Sequence, residues 1–508
     1  MSRKQRIISS INKLVSSDKF FVGIIILFII QAGWIALSSN YPMAFDEDFH
    51  LGLINLYSQH LVPFWSSHPV TGNSYGALTR DPSYLYHYGF GFLYLIIKEL
   101  VHNLTAQILI LRFINVALFA SGLYLFRKLL LQTRASKAIV HYTLLIFVLI
   151  PVVPLLGAQI NYDNLIFPLT ALTLLLTISF VRSMKDNSMN VARGLMLLVV
   201  CMIASLVKYA FLPVFVAVVI YCLFKLKSNY SSVKNVSNSF KKGWRSATTI
   251  HKWTLLVLLI IFSALMVERY GVNVAKYHTP VPDCAQVLSY DNCKYYGPWI
   301  RDYNFSRNKT PGVNTDPIAY STRWGYGMWL RNFFAVGGKI SDYQSRGPLY
   351  WPAIAGAVFT VSGLAVLCAY YGKIRKIYSK SVIQLFLLTI ILSVLILWFT
   401  QYQLFTQTYQ PVAINGRYLY PILPMLMLLI VMAYDQFLKK FVTIKYLFAT
   451  ALLICFMWGG GALTYVLRSE NTWYWSNSPT TPVNQFIKRN IGPITPGYNS
   501  PTEFLRKV

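Results

Sequence analysis

Residues 20–54 read FFVGIIILFIIQAGWIALSSNYPMAFDEDFHLGLI, an apolar run over 20–38 followed within a few positions by Asp46, Glu47, Asp48 and His50. At about 1.5 Å per residue the run matches the roughly 30 Å hydrocarbon core of a bilayer. Its backbone polar groups must be satisfied internally there, so it is expected to be a helix. The chain holds only 17 acidic residues in 508, and three of them fall together where it leaves this segment.

The rest of the chain repeats the first part of that pattern. With 55% hydrophobic residues, 12% charged residues and a positive mean hydropathy, it reads as an all-α polytopic membrane protein. Eleven transmembrane helices are predicted, at about 20–38, 105–126, 138–157, 164–181, 190–207, 209–226, 253–268, 350–371, 382–402, 418–436 and 446–466. A charge of +29 would suggest nucleic acid in a soluble protein. Here it is the Lys/Arg excess of cytoplasmic loops, and no nucleic-acid partner is expected. No small-residue cleavage site follows the first run, which is read as an uncleaved helix.

Loop charge sets the orientation, because basic residues near helix ends resist translocation. Starting inside, the basic stretches RKLLLQTRASK (127–137), KLKSNYSSVKNVSNSFKKGWR (225–245), KIRKIYSK (373–380) and Lys439 with Lys440 fall on one side. Counting YLYHYGFGFLYLIIKEL (84–100) as a span would break that agreement, so this Tyr- and Phe-rich segment is expected to lie at the outer interface. Four regions follow: a transmembrane module at 1–268 whose first outer loop (39–104) carries the acidic motif, an outer loop at 269–349, transmembrane helices at 350–466, and an outer tail at 467–508. Cys284 and Cys293 in CAQVLSYDNC can form a disulfide, whereas Cys201, Cys222, Cys368 and Cys455 lie in predicted helices.

If FDEDFHLGLINLYSQH is helical throughout, Asp46 and His50 stand at i and i+4, and Glu47 meets His50 at i+3. Two carboxylates and an imidazole on one face can supply a general base or hold a divalent cation, the latter through Glu47 and His50. The plain alternative is an acidic first turn answering the helix dipole. Asp163 in QINYDNL, Lys208 in SLVKYAFLP and Arg417 in NGRYLYPILP are predicted at the same depth. Singly these are a helix cap and two snorkelling anchors. Together, carboxylates and cations beneath an outer surface suit a phosphate-bearing substrate and an acceptor that loses a proton.

These features resemble the GT-C superfamily of membrane glycosyltransferases, which take a sugar from a polyprenyl-phosphate carrier. FDEDFHLG is similar to the FDEVHFG-like motif of protein O-mannosyltransferases, with one residue inserted before the His. RDPSYLYHY, which contains Tyr86, resembles the HPPLYY element, although Arg80 and Asp81 replace its His and Pro. Arg112 in LRFINVAL resembles the Arg of an RLPSAL segment, and NYDN, LVKYAFLP and GRYLYPILP are close to patterns of the bacterial families, including the aminoarabinose transferases. The likeness is densest over 20–215 and 415–425.

The resemblance implies an inverting glycosyltransferase in a bacterial plasma membrane, its site facing outward. Asp46 and Glu47 would be catalytic, and His50, Asp163 and Tyr86 would support the acceptor. Lys208, Arg417, Arg80 and Arg112 would hold the donor phosphate. The acceptor would be a glycan, lipid or protein. A transporter or flippase of a lipid-linked glycan or other amphiphile is the alternative reading. It would place ionisable residues deep within spans and show an internal repeat, and neither is visible here.

Overall fold

The computed structural model describes residues 3–43, 46–64, 74–184, 189–246, 248–334, 349–476, 478–496 and 498. Phe45 of the acidic motif, the end of the 269–349 loop and the last residues of the tail lie outside them. The described residues form helices joined by turns and loops, and their one β-type pairing is a bridge between Ser39 and Tyr474. Among the described residues eight helices are long and apolar enough to cross a membrane, and each falls on a predicted segment. The chain is an all-α integral membrane protein. Three shorter apolar helices, Lys137–Val148, Val191–Val207 and Leu423–Phe437, fall on the three remaining segments.

The chain begins with α1 (Arg3–Val15) and α2 (Asp18–Ser38). Ser17 caps α2 by accepting from the Phe20 amide at 3.1 Å, and Asp18 follows in the first turn, where the helix dipole favours a carboxylate. The acidic motif opens α3 (Glu47–Tyr57), and the Tyr-rich segment forms α4 (Leu85–Leu100). Those two pack closely, for a Cβ at Gly91 would stand 3.0 Å from the Ser58 amide nitrogen.

Next come α5 (Leu104–Leu131), α6 (Lys137–Val148), α7 (Val152–Gly157), α8 (Asp163–Met184) and α9 (Val191–Val207). The core is a file of stacked aromatics joining α2, α5 and α8. Phe28 lies 4.8 Å from Phe119, which lies 4.3 Å from Phe167, which in turn lies 4.4 Å from Phe126. Gly122 lets α5 approach, since a Cβ there would stand 2.4 Å from the Phe167 ring. The predicted helix at 138–157 is divided into α6 and α7, with a bend at Leu149–Pro151. Proline lacks the amide needed to continue the ladder.

The elements sort to two ends. At one end α3, α4, the turn at 158–163, Lys208 and the segment at 415–420 meet, and the tail joins them through Trp475 N–H to the Ser38 carbonyl. At the other end Asp18 pairs with Arg127 and Lys137, and the Ser379 amide donates to Thr133. Cys284 and Cys293 are joined in a disulfide. Trp299 and Tyr303 stack beside that bond at 4.9 Å, giving the outer-loop segment a small core of its own.

Candidate functional site

The site is organised by a residue whose side chain turns away from it. Glu47 and Arg112 are both wholly buried and form a two-pronged pair, Nε to Oε1 at 2.8 Å and Nη2 to Oε2 at 2.7 Å. The other Arg112 donors reach the carbonyls of Ala36, Ser39 and Asn40, where α2 ends. Glu47 also accepts from the amides of Met43 at 2.7 Å and Ile160 at 3.3 Å. Charge-assisted bonds of this kind are the strong ones, and Arg suits a carboxylate because its planar fork matches two oxygens.

This corrects three expectations. Glu47 commits both carboxylate oxygens to Arg112 and to two backbone amides, so it neither faces the open site nor shares a cation with His50. Arg112 is committed to Glu47 rather than to a phosphate. Arg80 pairs with Glu268 and donates to its carbonyl, in a separate cluster where Arg269 packs on Phe64 and Tyr84. Among the described residues no group of three His, Cys, Asp or Glu side chains is placed to hold a metal ion.

Asp46 goes the other way. Helix α3 begins one residue later, at Glu47, and Asp46 precedes it in the left-handed region at φ 67° and ψ 33°. Asp tolerates that conformation better than most residues. The face arithmetic of a continuous helix therefore fails here. Glu47 turns inward while the Asp46 carboxylate stays 62% exposed, with Oδ2 held 3.0 Å from Arg417 Nη2.

Beside this pair Lys208 Nζ bonds Asp163 Oδ1 at 2.5 Å, both side chains more than nine-tenths buried. The Lys208 ammonium also lies over the rings of Tyr162, at 4.4 Å, and Tyr418, at 5.4 Å. Asp163 Oδ2 is buried and has no hydrogen-bond partner among the described residues. Lys208 stands where α9 stops, at an extended residue, and Arg417 stands in the short turn Gly416–Leu419. Four of the nine expected site residues thus converge: Asp46, Asp163, Lys208 and Arg417.

His50 and Tyr86 lie just beneath. Tyr86 is buried and donates to Asn115 Oδ1 at 2.9 Å. His50 Nδ1 is 2.9 Å from His87 Nε2, and the rings stack at 5.2 Å. His87 was not singled out from sequence, although it stands in the quoted RDPSYLYHY run. Burial, the neighbouring His87 and the cations Arg417 and Lys208 hold His50 well below the usual imidazole range. Burial pushes His87 down to about 3. Both rings are neutral near pH 7. Phe49 extends the wall to Tyr75, at 5.8 Å, and Tyr296 of the disulfide loop, at 6.3 Å.

No protein-family model matches the chain, and no curated protein matches it.

Two outcomes are expected. Glu47→Gln leaves a buried guanidinium without its counter-charge, so folding stability should fall by about 3–5 kcal/mol. Unfolding followed by tryptophan fluorescence in detergent measures this, and Glu47→Gln with Arg112→Met should recover part of the loss. The histidine pair gives a pH dependence of determined sign. Its folded pKa values lie below the unfolded value, so between about pH 6.5 and 3 the unfolded chain binds more protons. Stability should be full above about pH 6.5 and decline as the pH falls through that window. His87→Gln should flatten the slope; an unchanged slope would remove the pair as its cause.

Proposed function

We propose that the chain is an inverting glycosyltransferase of the GT-C type, using a polyprenyl-phosphate sugar as donor and a hydroxyl group as acceptor. One observation carries the reading: an exposed carboxylate, Asp46, is held 3.0 Å from Arg417 in the cluster that contains the buried Lys208–Asp163 pair. A base and two cations at one end of a bundle of membrane-length helices are what transfer from a lipid phosphate requires.

In this mechanism Asp46 accepts the proton of the acceptor hydroxyl as its oxygen attacks the anomeric carbon. The anomeric carbon–phosphate oxygen bond breaks on the opposite face, and the polyprenyl phosphate leaves with the electron pair. Lys208 and the fork of Arg417 offset the charge that develops on it. Asp163 orients Lys208, the neutral His50 and Tyr86 support the acceptor side, and Phe49, Tyr75 and Tyr296 offer ring faces for a sugar. Glu47 and Arg112 act through position alone. A single displacement with a base needs no covalent enzyme intermediate, and so inverts the anomeric centre.

The eight long helices and the three shorter apolar ones are assigned as eleven crossings, and the cluster as facing the outside of a bacterial plasma membrane. The support is the separation of the basic stretches from the acidic motif, as the positive-inside rule requires.

Asp46→Asn keeps the shape and removes the basic lone pair, so transfer should fall by about 100-fold or more while the donor still binds. Lys208→Ala or Arg417→Ala should weaken both. Radiolabelled polyprenyl-phosphate hexoses, assayed for sugar release and for binding to the purified protein, separate the cases. Full transfer by Asp46→Asn would end the proposal. For orientation, cysteine at Asn490 should react with an impermeant maleimide on intact cells, and cysteine at Lys234 should not.

A further inference from the structure

At the end of the molecule opposite Asp46 lies a cavity of about 490 Å³. Its walls come from Ile11 and Val15 of α1, Ile139 of α6, Val431 of the helix Leu423–Phe437, and Ala449 and Leu453 of the helix Val442–Met457. That volume lies within the roughly 300–1,000 Å³ typical of ligand pockets. The walls are mostly apolar, and the polar residues fall in groups: Asn12, Ser16 and Ser136 with α1 and the start of α6, and the Asp435–Lys445 pair, Nζ to Oδ1 at 2.6 Å.

The surface beside the cavity is apolar. Phe437, Phe441, Ile444 and Leu447 are about half exposed or more on the same two helices and the turn between them. The sequence of α1 places Ile8, Ile11 and Val15 at helical spacing, with Arg3, Lys4, Arg6 and Lys13 elsewhere in the same helix, the composition of a helix lying in the membrane interface. The exposed charge in the stretches next to the cavity is mainly basic. In sequence Lys13 follows the lining residue Asn12, and Lys439 and Lys440 follow the lining residue Leu438; all three are exposed. The nearby acids are already compensated, Asp435 by Lys445 and Asp18 by Arg127 and Lys137. A neutral apolar chamber with a cationic margin is complementary to a molecule with an anionic head and an apolar tail.

We infer that this cavity binds an anionic phospholipid of the adjacent leaflet, one acyl chain lying between α1, α6 and the helix Val442–Met457 and the phosphate meeting Lys13, Lys439 and Lys440. Basic pockets between transmembrane helices take such head groups because surface potential and local lysines act together. The site is independent of the reaction proposed for the other end. Its occupant ties α1 to the bundle, filling space that would otherwise leave the walls without contacts.

The test uses the full-length protein in nanodiscs containing phosphatidylglycerol with a photoreactive acyl chain. Cross-links should map to α1 and to the peptide carrying Ala449, and unlabelled phosphatidylglycerol should compete where phosphatidylcholine of the same chain length does not. Replacing Lys439 and Lys440 together by Gln should weaken retention of phosphatidylglycerol, read by native mass spectrometry, by about tenfold or more, a few-fold for each lysine at a charged surface. Ala449→Trp should abolish the cross-link. Cross-links confined to other helices, or equal competition by both lipids, would overturn the inference. Because mapping on the unmodified protein is decisive, it stands or falls even if Ala449→Trp does not fold.

Discussion

Arg112 is the point through which the motif end is held together, and its bonds can be counted in full. A guanidinium has five N–H donors, and here five acceptors meet them: two Glu47 oxygens and the carbonyls of Ala36, Ser39 and Asn40. Glu47 is equally committed, each oxygen taking a backbone amide besides the guanidinium. A buried charge pair is tolerated only when its remaining bonding capacity is filled, and this one meets that condition. It fastens the end of α2, the start of α3, the middle of α5 and the turn before α8 to one another. The tail adds a cover, for the Trp475 ring lies 5.7 Å from the Arg112 guanidinium carbon.

That fastening makes two adjacent carboxylates unlike. Glu47 is drawn inward by Arg112, and the left-handed backbone at Asp46 sends the preceding side chain into the open. Residues outside the favoured backbone regions persist where the surroundings over-determine them, which the bonds around Glu47 do. The consequence reaches function. A base must contact the proton it takes, whereas a residue sealed among carbonyls can only hold the frame. The same reasoning distinguishes the cations: Arg112 and Arg80 are committed to acids away from the cluster, while Lys208 and Arg417 stand within it.

Much of this was legible in the chain. The eight long helices lie on predicted segments because hydropathy over some twenty residues is a strong and local signal. Asp46, Asp163, Lys208 and Arg417 could be grouped by their common position at helix ends, without knowledge of packing. What escaped depended on contacts between distant residues. The Glu47–Arg112 pair joins positions 65 apart, and neither its existence nor the inward turn of Glu47 follows from helical spacing. The i+3 relation to His50 was sound arithmetic for a helix face, but a guanidinium binds a carboxylate more strongly than an imidazole does. His87 could have been found by asking which residue would accompany His50, since it lies in a run already set aside for its aromatics. Tyr296 had no such signal; it arrives through the fold of the disulfide loop.

The two ends also treat charge in opposite ways, and membrane physics explains why. In the cluster around Asp46 the ionic groups are paired, and Lys208 and Asp163 are also buried. An unpaired charge near the hydrocarbon boundary is expensive, and a paired one costs less while keeping its chemistry available. At the basic end Lys13, Lys439 and Lys440 remain exposed. A chain that must keep basic loops on one side therefore has little freedom to place acids there. Three of its 17 acids stand together at positions 46 to 48. On the proposed reading, clustering them at the far end satisfies orientation and chemistry at once. On the proposed orientation, loops that resist translocation fix which face the motif leaves the bilayer on, and the buried Arg112 decides which of its carboxylates remains in reach.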